Sequence, residues 1–169
     1  MFNSKNAIFE YLKESGGSID MAVDGTTPKR FYYTCPSTAS SINAVSALIE
    51  RLNIIIVDAS ITPVKFAGLS ALTNGLLVDI EDDNSTVVFD FLAGETIKRN
   101  IEFGWLAGGD VVGQNYGASD ALPIRWTLSK AGGESFKLKP GYSIGITIQD
   151  NLSGMPTNGF TAMVQGKLV

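Results

Sequence analysis

Short runs of β-branched and aromatic residues, each ended by turn-forming residues, recur along the chain and restrict its fold more than any other feature of the sequence. Such runs are typical of β-strands. About nine strands are expected, separated at regular intervals by polar turns and with almost no helical pattern between them. This arrangement indicates an antiparallel β-sandwich or barrel rather than alternating β-α-β units. The fold class is therefore predicted to be mainly β.

The clearest local signals are an aromatic run, an apolar run and a hairpin. Residues 30–34 are rich in aromatic residues and are closed by Pro36, and residues 54–57 form a β-branched run too short for a helix. The preceding residues, from Ala44, fit either a helical face or an extension of that strand, and we favour the strand. Two further apolar runs, residues 76–80 and 86–91, bracket a five-residue polar loop and predict a β-hairpin. Other strands are expected over residues 97–103, 124–129, 135–139, 142–149 and 159–169.

The N-terminal region carries a different pattern. Four apolar residues fall at helix-like spacing: Ile8, Phe9, Tyr11 and Leu12. With Ser4 as a possible cap and Gly16-Gly17 as a stop, they predict a short helix. Residues 1–28 are therefore assigned to an N-terminal arm, with this helix and a lead-in, and residues 29–169 to a single β-sandwich domain. The arm is expected either to cover the open end of a sheet or to pack on a neighbouring subunit.

Composition excludes several classes of function. The 169 residues fit one domain, and they include one cysteine and no histidine. The common zinc and non-haem iron sites and the Ser-His and Cys-His nucleophiles therefore cannot be assembled. Cys35 has no second thiol to pair with, and an inert buried thiol is expected. Carboxylates, lysines, a tyrosine or a borrowed cofactor remain as possible catalytic groups. Our prediction is nevertheless a protein that is not an enzyme, with no catalytic residues, no metal site and no cofactor.

Charge and hydropathy limit the classes of partner that the chain is expected to bind. The formal net charge is −4, and Lys and Arg are scattered singly or in pairs, so no stripe of positive charge is available to neutralise a nucleic-acid backbone. No uninterrupted run of about 18 apolar residues occurs, and the first residues lack the pattern of a secretory signal. We therefore expect no binding to nucleic acid or to a membrane. We also expect the protein to be made in the cytoplasm.

Two segments are candidate sites, one acidic and one rich in glycine. Five carboxylates cluster in and around the hairpin: Asp79, Glu81, Asp82, Asp83 and Asp90. Their spacing resembles a calcium loop only in part, because Asn84 stands where the sharp-turn glycine belongs and no bidentate Glu follows, so a solvated hairpin loop is favoured. Residues 104–122 contain five glycines and predict a long loop that is functional or ordered by a partner.

That loop carries Trp105 and Tyr116, residue types often found at the centres of protein interfaces. An equally simple interpretation of Trp105 is a plug at one end of the sandwich. The predicted partner-binding residues are Phe2, Ile8, Phe9, Leu12, Trp105 and Tyr116.

Several stretches also carry a resemblance to a known family. They are Tyr33-Thr34-Cys35-Pro36, residues 52–58, Lys65-Phe66-Ala67-Gly68 with Ala71-Leu72-Thr73-Asn74-Gly75, and Ile148-Gln149-Asp150-Asn151-Leu152 with Ala162-Met163-Val164-Gln165-Gly166. From about residue 31 to its end, the chain resembles the small jelly-roll-like virion structural proteins of tailed bacteriophages. Such proteins decorate capsids or form part of the neck, the collar or the base of a fibre.

The resemblance implies a jelly-roll sandwich located in the virion that self-associates and binds capsid, portal, neck or tail proteins. The low charged fraction, 18% against about 25% in average proteins, fits either a β-rich globule whose turns use Gly and Asn, which we favour, or a subunit whose uncharged faces are partly covered by neighbours. The competing hypothesis is a carbohydrate-binding β-sandwich module that recognises host surface glycans through the same aromatic residues. A glycoside hydrolase, which would need a facing pair of carboxylates among Glu95, Glu102, Asp110 and Asp120, is not favoured.

Overall fold

Two antiparallel β-sheets share one hydrophobic core in the computed structural model, which describes residues 6–37, 46–57, 74, 76–91, 110–111, 114–116, 119–127 and 136–169. The described strands are β1 (Ala7–Tyr11), β2 (Lys29–Thr34), β3 (Ala47–Val57), β4 (Leu76–Glu81), β5 (Val87–Asp90), β6 (Asp110–Val111), β7 (Gln114–Tyr116), β8 (Ser119–Thr127), β9 (Phe136–Leu138), β10 (Ser143–Ile148) and β11 (Phe160–Leu168). The prediction of a mainly β, antiparallel sandwich-like fold is confirmed.

The smaller sheet has the order β2-β10-β4-β5. Its β4–β5 hairpin matches the predicted one, and the turn is fixed by Asp82, whose carboxylate accepts hydrogen bonds from the backbone N–H groups of Asn84 and Thr86 at 2.9 Å. Ser85 adopts a positive φ of 60° in this turn. Alternate residues of the sheet, such as Val78 and Ile146, point into the core.

The larger sheet is built around β3 and β11. Its order is β1-β11-β3-β8-β6, with β7 also paired to β8 and β9 also paired to β3. Strand β3 is eleven residues long and pairs with β11 on one side, and with β9 and β8 in succession on the other; the ladders bypass Glu50, where the β3–β11 register shifts. The whole of β3 is therefore a strand, and the extension of residues 54–57 towards the N-terminus is confirmed.

The N-terminal helix is not found: Ala7–Tyr11 is strand β1, paired with β11. The spacing of Ile8 and Leu12 puts both residues on one side of a helix, but it also puts both on one face of a strand. The choice is decided by β11, since its edge offers β1 a row of backbone hydrogen bonds that a helix would leave unmade.

The chain after β1 crosses from the larger sheet to the smaller one. Leu12 donates its N–H to the carbonyl oxygen of Ala162 in β11 at 2.8 Å, while Lys13 exchanges two backbone hydrogen bonds with Tyr32 of β2. Leu12 and Met21 are fully buried in the core. The first part of the chain thus bridges the two sheets on one lateral side of the sandwich.

The glycine-rich segment also differs from its prediction as one long loop. Its described residues include β6, β7 and the first residues of β8, so strand pairing runs through a stretch in which glycines suggested none. The predicted strand over residues 97–103 lies outside the described residues. Within the described ranges, no helix is long and apolar enough to cross a membrane.

Candidate interaction surface

The structure separates the predicted contact residues. Phe2 and Trp105 lie outside the described residues, and Tyr116 is placed by its backbone as the last residue of β7, paired with Ser119. Ile8 and Leu12 are buried in the core of the chain itself. Phe9 is 61% exposed on the opposite face of β1, with Tyr11 beside it at 38%.

The backbone of β1 has one paired side and one open side. In an antiparallel ladder, successive residues direct their N–H and C=O groups to alternate sides. Leu12 bonds to β11, so Ile8 and Glu10 do too, whereas Lys13 points away and bonds to Tyr32 of β2. Three residues share the orientation of Lys13: Ala7, Phe9 and Tyr11. We call their outward-facing backbone groups the open row, because no backbone partner for them occurs in the described part of the chain.

The opposite lateral side of the sandwich exposes a second apolar group. Val87 and Val88 of β5 are each 50% exposed and Phe89 is 48% exposed. Val88 is the extra residue of an irregularity in the β4–β5 ladder, where Ile80 pairs with Phe89 and Glu81 pairs with Val87. Phe89 contacts Phe136 of β9 with ring centroids 5.9 Å apart, so an aromatic contact joins the two sheets on this side.

The outer face of the smaller sheet carries a charged network centred on Arg30. Its guanidinium donates to the Asp79 carboxylate from Nε at 3.0 Å and from Nη2 at 2.8 Å. Nη1 donates to the Ser143 hydroxyl at 2.8 Å and lies 3.1 Å from the Glu81 carboxylate. All three guanidinium nitrogens are thus engaged by this chain, and the network ties β2, β10 and β4 together.

Burial shifts the pKa of three groups. It raises the pKa of Glu81 despite the opposing effect of Arg30, and it raises the pKa of the buried Cys35 thiol, as expected of an inert cysteine. Burial, followed by the proximity of Cys35 and Glu10, raises the pKa of Tyr33 to about 12.

The acidic cluster is divided by the fold. Asp79 is buried and ion-paired to Arg30, Glu81 joins the same network, and Asp82 caps the hairpin turn. Among the residues that are described, no group of three or more His, Cys, Asp or Glu side chains is placed to hold a metal ion. The geometry therefore assigns these carboxylates to ion pairing and turn formation.

Sequence reasoning missed the exposed residues of β5. The run from Thr86 was identified as a strand, and its continuous valines and phenylalanine were the available signal that both faces carry apolar groups. The sequence does not show the irregularity at Val88, which changes how the residues of β5 lie relative to β4.

No protein-family model, curated protein sequence or solved structure matches the chain.

Proposed function

We propose that the chain is a non-enzymatic structural subunit of a tailed-phage virion, a capsid decoration protein or a head-tail neck or collar component. It self-associates and binds other particle proteins, and its sandwich is a jelly roll. The observation that carries this proposal is the exposure of apolar side chains on strands at two lateral sides of one sandwich, Phe9 in β1 and Val87 to Phe89 in β5. Exposed apolar side chains that form a contiguous patch mark contact sites between proteins, and Val87, Val88 and Phe89 are consecutive.

The charge distribution supports the same proposal. Arg30 is ion-paired with both Asp79 and Glu81, and the three side chains are only 14%, 6% and 19% exposed, so the charged groups of this network are paired within the chain and largely withdrawn from the outer face of the smaller sheet. A subunit that makes the same contact many times would lose free energy at each contact if unpaired charges had to be desolvated there. Repeated identical contacts usually close into symmetric rings or dimers.

The test is mass spectrometry and immunogold labelling of particles purified from the phage that encodes the chain. The chain should be present in multiple copies per particle, at a defined position, while a non-structural protein of the same phage is absent. Recovery of the chain only in the soluble fraction of the lysate would contradict the proposal.

The carbohydrate-binding alternative makes a different prediction. A glycan-binding module would be a monomer whose tryptophan fluorescence shifts on addition of host surface polysaccharide. The structural subunit is expected to give no such shift and to elute as an oligomer in light scattering. A saturable fluorescence shift with a monomeric mass would favour the alternative.

A further inference from the structure

We propose that β1 pairs antiparallel with β1 of a second copy of this chain, with Phe9 opposite Phe9 across a two-fold axis. The contact would join the two larger sheets into one continuous sheet. This inference rests on the self-association in the proposed function and specifies which surface performs it.

The open row provides the hydrogen bonds. Within the described residues, the backbone groups of Ala7, Phe9 and Tyr11 face away from β11 and have no partner. An edge strand with unpaired N–H and C=O groups is a template for another strand. A two-fold contact supplies the same strand from the second copy, so both open rows are satisfied by one interface.

One register engages the whole open row. Residues 7, 9 and 11 pair exclusively with one another when Phe9 lies opposite Phe9, which places Ala7 opposite Tyr11 on both sides of the axis. A shift by two residues towards Tyr11 would bring Lys13 into the pairing, but Lys13 already bonds to Tyr32 of β2. The Lys13–Tyr32 bridge therefore disfavours the shift towards Tyr11.

Side-chain charge and size favour the same register. Opposed residues of antiparallel strands lie on one face, so the exposed Phe9 side chains meet at the axis and each small Ala7 lies beside a larger Tyr11. Glu10 lies opposite Ile8. The shift towards Tyr11 would instead oppose the two Glu10 carboxylates, which is unfavourable.

The described residues leave a groove beside β1 that can accept a second strand. A groove of about 370 Å³ lies along this side, lined by residues of β1 and β2 that include Tyr11, Thr34 and Pro36. The groove begins where β1 and β2 diverge from the Lys13–Tyr32 bridge. Pro36, two residues after the end of β2, has no N–H to offer to an incoming strand.

The experiment compares the mass of the full-length wild type with two lysine variants by light scattering after size exclusion. Phe9→Lys places a charge on the axis, a common protection of natural strand edges, and should convert the assembly to a lower-order species or a monomer. Val88→Lys, at the similarly exposed opposite side, should keep the wild-type mass. Circular dichroism and thermal melting check that both variants fold.

A cross-link tests whether the two β1 strands meet near Phe9. Cα atoms of a hydrogen-bonded antiparallel pair are about 5.5 Å apart, so Phe9→Cys should form a covalent dimer with a short bismaleimide. Val88→Cys is the matched control, and the wild type, whose Cys35 is buried, is the blank. Neither control should cross-link.

The outcomes separate the inference from the proposed function. A wild-type monomer at about 100 µM, a concentration that would saturate a micromolar contact, would contradict both the β1 pairing and the self-association. A wild-type oligomer whose mass survives Phe9→Lys, with no cross-link at residue 9, would overturn the β1 pairing alone.

Discussion

At the scale of single residues, the position of the Arg30 side chain restricts which residue can stand beside it in the smaller sheet. The guanidinium lies over Gly145 of β10, where a Cβ atom would come within 2.8 Å of Cζ and Nε. Arg30 cannot easily move away, because Asp79 and Ser143 hold it from both sides. Glycine is therefore needed at this position for space and not for backbone conformation.

We expect Gly145→Ala to lower the free energy of unfolding by about 1 to 3 kcal/mol, as overpacking of a filled site typically does. Urea titration followed by circular dichroism measures the change. Gly16→Ala is the matched control, since its Cβ would lie 3.7 Å from the nearest atom of Glu14, an ordinary contact. A stability equal to that of the control would show that the Arg30 network is not rigid.

Because of Tyr33, we expect the free energy of unfolding to depend on pH in the alkaline range. Because its folded pKa is raised to about 12 from an ordinary value of 10.0, the neutral phenol favours the folded state. Its contribution is complete below the ordinary value and is lost as pH rises towards the folded value. Tyr33→Phe lacks this titration, so its free energy of unfolding should fall less than that of the wild type between about pH 9.5 and 11.5, by about 2 kcal/mol. Parallel urea titrations at the two pH values measure the difference; equal losses would contradict it.

At the scale of secondary-structure elements, β1 determines how the N-terminal region contributes to the core. The strand directs Ile8 into the core and Phe9 towards solvent. Leu12, which follows β1, is again buried in the core. Loss of a buried leucine side chain leaves a cavity, whereas truncation of an exposed phenylalanine does not.

We therefore expect Leu12→Ala to destabilise the protein by about 2 to 5 kcal/mol. Phe9→Ala, measured under dilute conditions where association is absent, should change stability by less than about 1 kcal/mol. Thermal or urea unfolding of both variants measures the pair. Similar small effects would mean that the N-terminal region does not belong to the cooperative core.

Elements with a complete local pattern could be predicted from the sequence. The β4–β5 hairpin, β2, β10 and β11 all follow from apolar runs bounded by turn residues. The error at β1 arose because its four apolar residues fit both periodicities, and the partner that decides between them, β11, lies far away in the sequence. The wrong periodicity also gave a wrong grouping of the predicted contact residues. A helix would place Ile8, Phe9 and Leu12 on one side, whereas the strand places Phe9 on the face opposite Ile8 and Leu12.

At the scale of the whole molecule, the sheets are held by contacts between distant parts of the chain. β1 pairs with β11, and β2 pairs with β10, so the order of strands in space bears little relation to their order in the sequence. Proteins dominated by such non-local pairing fold slowly, because chain entropy is lost before the contacts form.

Refolding from urea should accordingly take milliseconds to seconds, within the range of all-β sandwiches. Stopped-flow tryptophan fluorescence measures the rate. Leu12→Ala offers a comparison: if β1 docks late, it should mainly accelerate unfolding. Refolding in microseconds would contradict the non-local topology.

The position of β11 has a consequence for biosynthesis. It is translated after every other described strand, yet it lies between β1 and β3 in the sheet. While residues 160–168 are still inside the ribosome, β1 and β3 each lack the neighbour that joins them, and nascent chains expose strand edges side by side on a polysome. Newly made molecules would therefore need chaperone protection, or spacing along the messenger RNA, until β11 emerges and joins β1 to β3.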